Sequence, residues 1–411
     1  MIMKEVCVIN YVSNAAVYGI GSYIKEYIFC IANLGNRINM IELGTDRKNS
    51  GIYIKEEENI RTIHIPYFHS KDFVKYNKGV CRLLRLYIED SEELVFHFQY
   101  SNSYSMLESV KNHFPLSKSV FTIHYLHWSA RLQGNITLFE RIIRNRKNEK
   151  IKMKYGDIIE NYNREKELLE KIDRIVCLSD DTFSLMQNHY DMKENVWLIP
   201  NGLRKIHRNL SVKQKINIRN KYYINPEEKI LLFVGRIDHI KGLYNLFSCF
   251  EDVLQVYPNC RLVVTGDGDF NGVIKKCKNT YSKVMFTGRL NKKTLYQLYQ
   301  IADIALFPSF YEECSYVGIE MMMHGLPIIA SDGFNVKNMF HDGVNAKVAK
   351  IGNPRKPKEF ENNLATAILE LLDSETLCKE LSKGARQIYE SRYALKNMQD
   401  GYKKLLEDLD G

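Results

Sequence analysis

Short apolar runs recur along the chain, each followed by a glycine- or proline-bearing turn and then by apolar residues at helical spacing. The runs at 5–10, 38–43, 60–65, 94–98, 119–124, 174–178 and 196–200 form a first series. Those at 229–234, 261–265, 284–287, 303–307 and 328–330, with a candidate edge at 345–348, form a second. Nearly continuous apolar runs mark strands covered on both faces, as in parallel sheets. Between them, Ile20, Ile24, Tyr27, Ile28, Ile31 and Leu34 recur at helical spacing, and Gly35 ends that helix. Further helices are expected at 158–171, 182–189, 292–302, 357–372, 374–391 and 395–409. The turn Asn201-Gly202 and the polar, basic stretch 211–223 separate the two series. Two α/β halves, each opening on a hydrophobic strand, predict two Rossmann-like domains facing a cleft.

Composition changes this picture little. A chain of 411 residues has room for two cores, and 45% hydrophobic with 26% charged residues is ordinary for a globular protein. No apolar run approaches the ~18–20 residues that span a bilayer. The start, Met1 to Asn10, enters a strand at once, so a cytoplasmic protein without a signal peptide is expected. The nine cysteines are scattered, with no CxxC pair, and read as core thiols in a reducing compartment. A net charge of +9 suits an anionic substrate, an anionic membrane or nucleic acid, but no RNA-binding signature or zinc spacing appears. Nucleic acid is therefore not an expected partner. Residues 131–154 carry eight cations against two acids, with Leu138, Phe139, Ile142 and Ile143 on one short face. This segment is either an amphipathic helix touching anionic lipid at the inner face of the membrane or an anionic acceptor, or else a solvated helix with a few core contacts.

Candidate chemistry centres on Pro308 to Pro327. An apolar strand ends at Phe307, Ser315 stands where a helix can be capped, and Gly325 with Pro327 closes that helix. Glu312 lies in the loop and Glu320 about one turn into the helix, with seven residues between them. A helix N-terminus favours an anion such as a diphosphate, and the two carboxylates could accept hydrogen bonds from sugar hydroxyls. The turn Gly235-Arg236…Lys241-Gly242 offers a guanidinium fork and a point charge to the same anion. The turns Gly266-Asp267-Gly268 and Gly288-Arg289-Leu290 suit a base and ribose packed on backbone. Gly19 and Gly21 stand at the first strand–helix turn, and His124 at the end of a strand, where ligands of open α/β sheets bind. Solvated glutamates, surface cations, a plain tight turn and a structural histidine are the alternatives for these residues.

With these elements in order, the sequence resembles the retaining family-4 glycosyltransferases of the GT-B fold. The likeness rests on Leu178-Ser179, Ile199-Pro200-Asn201-Gly202, Phe233-Val234-Gly235-Arg236, Lys241-Gly242, Ala302-Asp303, Glu312…Glu320 and His324-Gly325-Leu326-Pro327. It implies an N-terminal acceptor-side domain over 1–203, a nucleotide-sugar domain over 204–390, and a helix at 391–411 that crosses back to the first domain. Arg236 and Lys241 would hold the donor diphosphate and stabilise its departure. Glu320 would bind the ribose. Glu312, with the amides near Cys314, Ser315 and Tyr316, would face the donor sugar. Gly19 and Gly21 would approach the phosphate and acceptor, and His124 the donor sugar. The implied reaction moves a sugar, favouring a UDP-sugar donor, to a hydroxyl of a glycan, lipid-linked glycan or other acceptor. Configuration would be retained without a metal, and no Asp-x-Asp motif is present.

The sequence departs from the family in three places. Glu312 is followed by Glu313-Cys314-Ser315 instead of Gly-Phe-Gly, Asn338 stands where a Glu is common, and the N-terminal glycines are spaced as Gly19-x-Gly21. These bear on the donor sugar more than on the fold. A nucleotide-sugar epimerase on the same scaffold and a catalytically silent nucleotide-sugar binder are the competing readings.

Overall fold

As a computed structural model, the chain is described over residues 3–12, 19–45, 51–67, 72–100, 103–206, 208–353 and 356–409. It divides into two compact units. The first comprises Met1–Arg131, Thr137–Gly202 and Leu395–Gly411, and the second Leu132–Ile136 and Leu203–Ala394.

The first unit is built on eight strands: β1 (Glu5–Tyr11), β2 (Arg37–Thr45), β3 (Tyr53–Glu57), β4 (Ile60–Pro66), β5 (Leu94–Phe98), β6 (Lys118–Ile123), β7 (Arg174–Cys177) and β8 (Val196–Leu198). Their order is β3-β4-β2-β1-β5-β6-β7-β8. All pairings are parallel except β3 with β4. Central strands such as β5 are buried at every position, which is why they read as unbroken apolar runs. Strand β3, an exposed edge of sequence YIKEE, has no apolar pattern and was not anticipated. The order of the strands reverses between β1 and β5, and His124 follows the end of β6.

The helix Leu395–Asp408 belongs to this unit and is anchored through a buried polar cluster. Tyr402 and Tyr23 share a short hydroxyl–hydroxyl contact. Thr122 Oγ1 lies 3.0 Å from the Tyr23 hydroxyl and 2.8 Å from His97 Nε2. These groups are buried, so their mutual hydrogen bonds replace those lost to water. Burial also pushes the His97 imidazole well below its usual pKa, keeping the ring neutral.

The basic segment forms the helices His127–Arg131, Ile136–Arg144 and Glu149–Leu169. Its apolar face points inward. Phe139, Ile142 and Ile143 are buried, and the Phe139 ring stacks on Trp128 at 4.5 Å. That face is therefore engaged in the core, and what the segment turns to solvent is charge: Arg141, Arg144, Lys147, Lys150 and Lys152 are exposed. Among the described residues, no helix is long and apolar enough to cross a membrane.

The second unit carries six parallel strands: β9 (Lys229–Val234), β10 (Cys260–Thr265), β11 (Val284–Gly288), β12 (Ile304–Phe307), β13 (Ile328–Ser331) and β14 (Lys347–Ala349). Their order is β11-β10-β9-β12-β13-β14. The chain runs outward from β9 to β11, then restarts at β12 on the other side of β9. The reversal therefore falls between β9 and β12, which is where ligands bind in such sheets. Phe233, Leu246, Phe250, Leu306 and Ile368 join helices and sheet in one buried core. The stretch 211–223 contains the helix Val212–Lys221, started by a capping box in which Ser211 and Gln214 exchange hydrogen bonds. All nine cysteines are free, and all but Cys378 are buried.

One buried acid in the first unit makes stability depend on pH. Glu165 accepts from the His127 amide at 2.9 Å and from the Tyr190 hydroxyl at 2.8 Å, and burial pushes its carboxyl up to about 7. Its pKa is thus raised in the folded chain. Below the unfolded value both states hold the proton and nothing is lost; between that value and about 7 the unfolded chain releases its proton while the folded chain keeps it, so stability falls by on the order of 2–3 kcal/mol and levels off above. Urea denaturation should show Glu165→Gln gaining stability relative to wild type between pH 5 and pH 8. An equal offset at both pH values would contradict this assignment.

Candidate functional site

Two loops leave the sheet of the second unit at its reversal point. After β9, the chain passes through Gly235, Arg236, Ile237 and Asp238 into a single helical turn, His239–Lys241, and then the helix Leu243–Val256. After β12, it passes from Pro308 to Ser315 into the helix Tyr316–His324. The Phe310 amide donates to the Ile240 carbonyl at 2.8 Å, which ties the loops together. Gly242 allows this approach: its φ is +69°, and a Cβ there would strike the Pro308 carbonyl. The result is that Lys241 Nζ donates to Glu312 Oε1 at 2.6 Å, in a pair whose side chains are 21% and 11% exposed. Asp238 organises the same loop. It accepts the Arg236 guanidinium with one oxygen and the Lys241 amide with the other, at 3.2 Å. The Arg236 side chain is otherwise largely exposed.

The helix Tyr316–His324 begins as expected, but not with the expected cap. Ser315 has extended backbone and its side chain makes no capping hydrogen bond; its amide points at Met339 Sδ, 3.4 Å away. The first amides of an α-helix have no partner within the helix. Here the Ser315 side chain takes none of them, and a helix start of this kind favours an anion. Cys314 and Tyr316, on either side of Ser315, are buried. Gly325, at φ +63°, ends the helix.

Glu320 lies deeper than the sequence suggested. Its side chain is 1% exposed, and both oxygens are engaged: Oε1 with the Lys292 ammonium and Oε2 with the Tyr299 hydroxyl at 3.1 Å. Glu313 is also buried. The Tyr311 hydroxyl donates to one of its oxygens and Asn335 Nδ2 to the other at 3.3 Å, so this family-atypical carboxylate braces the loop from inside.

The glycines after β10 have a structural reason. Gly266 and Gly268 adopt φ of +146° and +140°, and a Cβ on either would strike the carbonyl of Gly235 or Ile237. The Ile237 amide donates to the Asp267 carbonyl at 2.7 Å, and the Asp269 amide to the Ile237 carbonyl at 2.9 Å. Gly266 thus seats the Arg236 loop from behind. Arg289 and Leu290 follow β11, exposed and half-buried, just ahead of the helix Lys292–Ile301. Asn338, half-buried, lies in the short helix Val336–Met339.

The remaining expected residues belong to the first unit. Gly19 and Gly21 lie in the first turn of the helix Gly19–Asn33, not in a loop before it, and 13–18 lie outside the described residues. His124 is half-buried; its Nε2 meets Gln99 Oε1 at 2.8 Å, and its ring packs edge-on to Tyr23 at 4.5 Å. Burial pushes its pKa down to about 3. Thus Arg236, Lys241, Glu312 and the start of the helix Tyr316–His324 come together, while Glu320 sits beneath its own cation. Sequence reasoning missed Asp238, Lys292 and Tyr299. Asp238 carries a legible signal, an aspartate three residues before the Lys241 amide it caps. Lys292 and Tyr299 carry none, because only folding brings them to Glu320.

Residues 214–388 match the model of the family described as glycosyl transferases group 1. An uncharacterized glycosyltransferase of Methanocaldococcus jannaschii is 34% identical over 144 residues, 34% of this chain and 37% of the relative. The alpha-monoglucosyldiacylglycerol synthase of Streptococcus pneumoniae is 28% identical over 210 residues, 50% of this chain and 45% of the relative. The chain thus matches less than half the length of these curated relatives. Among solved structures, sucrose-phosphate synthase from Thermosynechococcus elongatus superposes with a TM-score of 0.77 at 18% identity, covering 99% of both chains. An Anabaena protein solved in complex with UDP gives 0.72 at 14% identity, covering 99% of this chain and 100% of that one. These likenesses show the GT-B fold that the motifs implied.

Two measurements check the site's construction. Gly242→Ala should lower stability by about 1–3 kcal/mol through strained backbone and collision with Pro308, read as a lower urea midpoint; an unchanged midpoint would contradict the close approach. The ring-proton resonance of His124, assigned by its loss in His124→Gln, should stay flat between pH 5 and 8. A titration centred near 6.5 would show a solvated ring instead.

Proposed function

We propose that this chain, of which residues 214–388 match the model of the group 1 glycosyl transferases, transfers a sugar from a nucleotide-diphosphate-sugar to a hydroxyl acceptor. The single observation that carries this reading is the tie between the loops after β9 and β12, which sets Lys241 against Glu312, three residues ahead of Ser315 and the first amides of the helix Tyr316–His324. When the bond from the anomeric carbon to the diphosphate breaks, negative charge gathers on the leaving phosphate. Arg236, Lys241 and those amides supply fixed positive potential for it, so no rearrangement is needed as the bond cleaves. Glu312 holds Lys241 in place and offers its second oxygen to a donor-sugar hydroxyl. Glu320 accepts from the ribose. The acceptor oxygen forms the new bond on the face the leaving group departs from and gives its proton to a donor phosphate oxygen, which retains configuration without a metal. UDP is the proposed nucleotide, since the Anabaena protein of the same fold was solved with it. Acceptor choice is proposed for the first unit, whose exposed cations at 141–152 suit an anionic acceptor or membrane surface.

Calorimetric titration with UDP tests the diphosphate assignment. Arg236→Ala and Lys241→Ala should each weaken UDP binding about tenfold or more, and turnover with a competent donor should fall about 10²–10³-fold. Wild-type affinity in both variants would overturn the placement.

A further inference from the structure

Glu320 is engaged in an asymmetric way. Tyr299 reaches Oε2 from within the fold; its ring is buried and stacks on His324 at 5.1 Å. Lys292 reaches Oε1. Its side chain is 51% exposed, against 1% for Glu320, so a lysine from the surface closes over a buried carboxylate. Its backbone is fixed, because Lys292 opens the helix Lys292–Ile301 and the preceding Asn291 caps that helix by accepting the Thr294 amide at 2.9 Å. From that fixed backbone the long stem carries the ammonium past the Tyr296 ring, 5.7 Å from its centre.

A buried carboxylate must keep a partner at each oxygen. Tyr299 cannot leave without unpacking the core, whereas Lys292 can turn outward at little structural cost. We propose that Lys292 is a built-in competitor of the nucleotide's ribose: its ammonium holds the Glu320 oxygen that the vicinal hydroxyls require, and nucleotide binds by displacing it. This rests on the reading of Glu320 as the ribose acceptor. Two hydroxyl donors then replace one ammonium, and the released cation remains beside a ligand that is itself anionic. A nucleotide lacking both ribose hydroxyls has nothing with which to displace Lys292. The residue therefore lowers affinity for ribonucleotides, and with it their advantage over nucleotides that lack the hydroxyls, as any closed state does.

Calorimetry on the full chain with UDP and 2′,3′-dideoxy-UDP at pH 8 tests this. Lys292→Met should bind UDP about tenfold more tightly than wild type, with dideoxy-UDP unchanged. Lys292→Arg, which keeps a cation and adds a fork, should bind UDP more weakly than wild type, again without effect on dideoxy-UDP. A purely structural lysine predicts weaker binding of both ligands in both variants, and a lysine that contacts the phosphates predicts equal changes for both ligands; either result overturns the proposal. Should Lys292→Met fail to fold, Lys292→Arg decides alone, and wild-type behaviour there overturns it. Glu320→Gln separates the two levels. If it leaves the preference for UDP over dideoxy-UDP intact, the ribose role of Glu320 itself falls, whatever Lys292 does.

Discussion

The second unit depends on the contact between the two loops that leave its sheet on either side of the reversal between β9 and β12. Backbone makes this contact first: the Phe310 amide meets the Ile240 carbonyl, and Gly242 is the one residue type that lets Pro308 come so near. Side chains follow from it. Lys241 and Glu312 stand 71 positions apart in the chain, yet their charged ends are 2.6 Å apart because the loops beneath them are joined. The strand order splits at β9, and the helix after β12 starts there without a side-chain cap from Ser315. Electrostatic preorganisation of this kind is effective because the groups are already in position when charge develops.

A second theme is how the fold manages polar groups it buries. In the first unit, Tyr23, Thr122, Tyr402 and Nε2 of His97 hydrogen-bond to one another and pin the last helix to the sheet. In the second, Glu313 is held by Tyr311 and Asn335, and Glu320 by Tyr299 and Lys292. These carboxylates differ in their surroundings. Glu313 is enclosed by loop residues and serves the loop's shape, whereas Glu320 has one partner that is half in solvent and can be exchanged.

Much of the fold was legible because parallel strands buried on both faces must be continuously apolar. KILLFV at β9 and LVFHF at β5 can hardly be anything else. YIKEE at β3 failed for the opposite reason: an exposed edge strand imposes no pattern on its residues. At the site, residue types and spacing pointed to Arg236, Lys241 and Glu312, since glycine turns after strands restrict where charge can go. What stayed hidden was the company each residue keeps. Gly266 reads as a ligand-facing turn, but its lack of a Cβ is demanded by the Gly235 carbonyl. Ser315 reads as a cap, but its hydroxyl takes no helix amide. Glu320 sits at a predictable place on its helix, and nothing local foretells a lysine 28 residues earlier closing over it. Local pattern records periodicity and turn chemistry; it does not record which distant side chain fills a given space.

Hydrogen exchange with and without saturating UDP tests the central claim most directly, because it reports where the nucleotide touches backbone. The account predicts slowed exchange in peptides covering 235–242 and 312–320, with the first amides of the helix Tyr316–His324 protected most. Protection confined to other segments, with both of these unchanged, would contradict it.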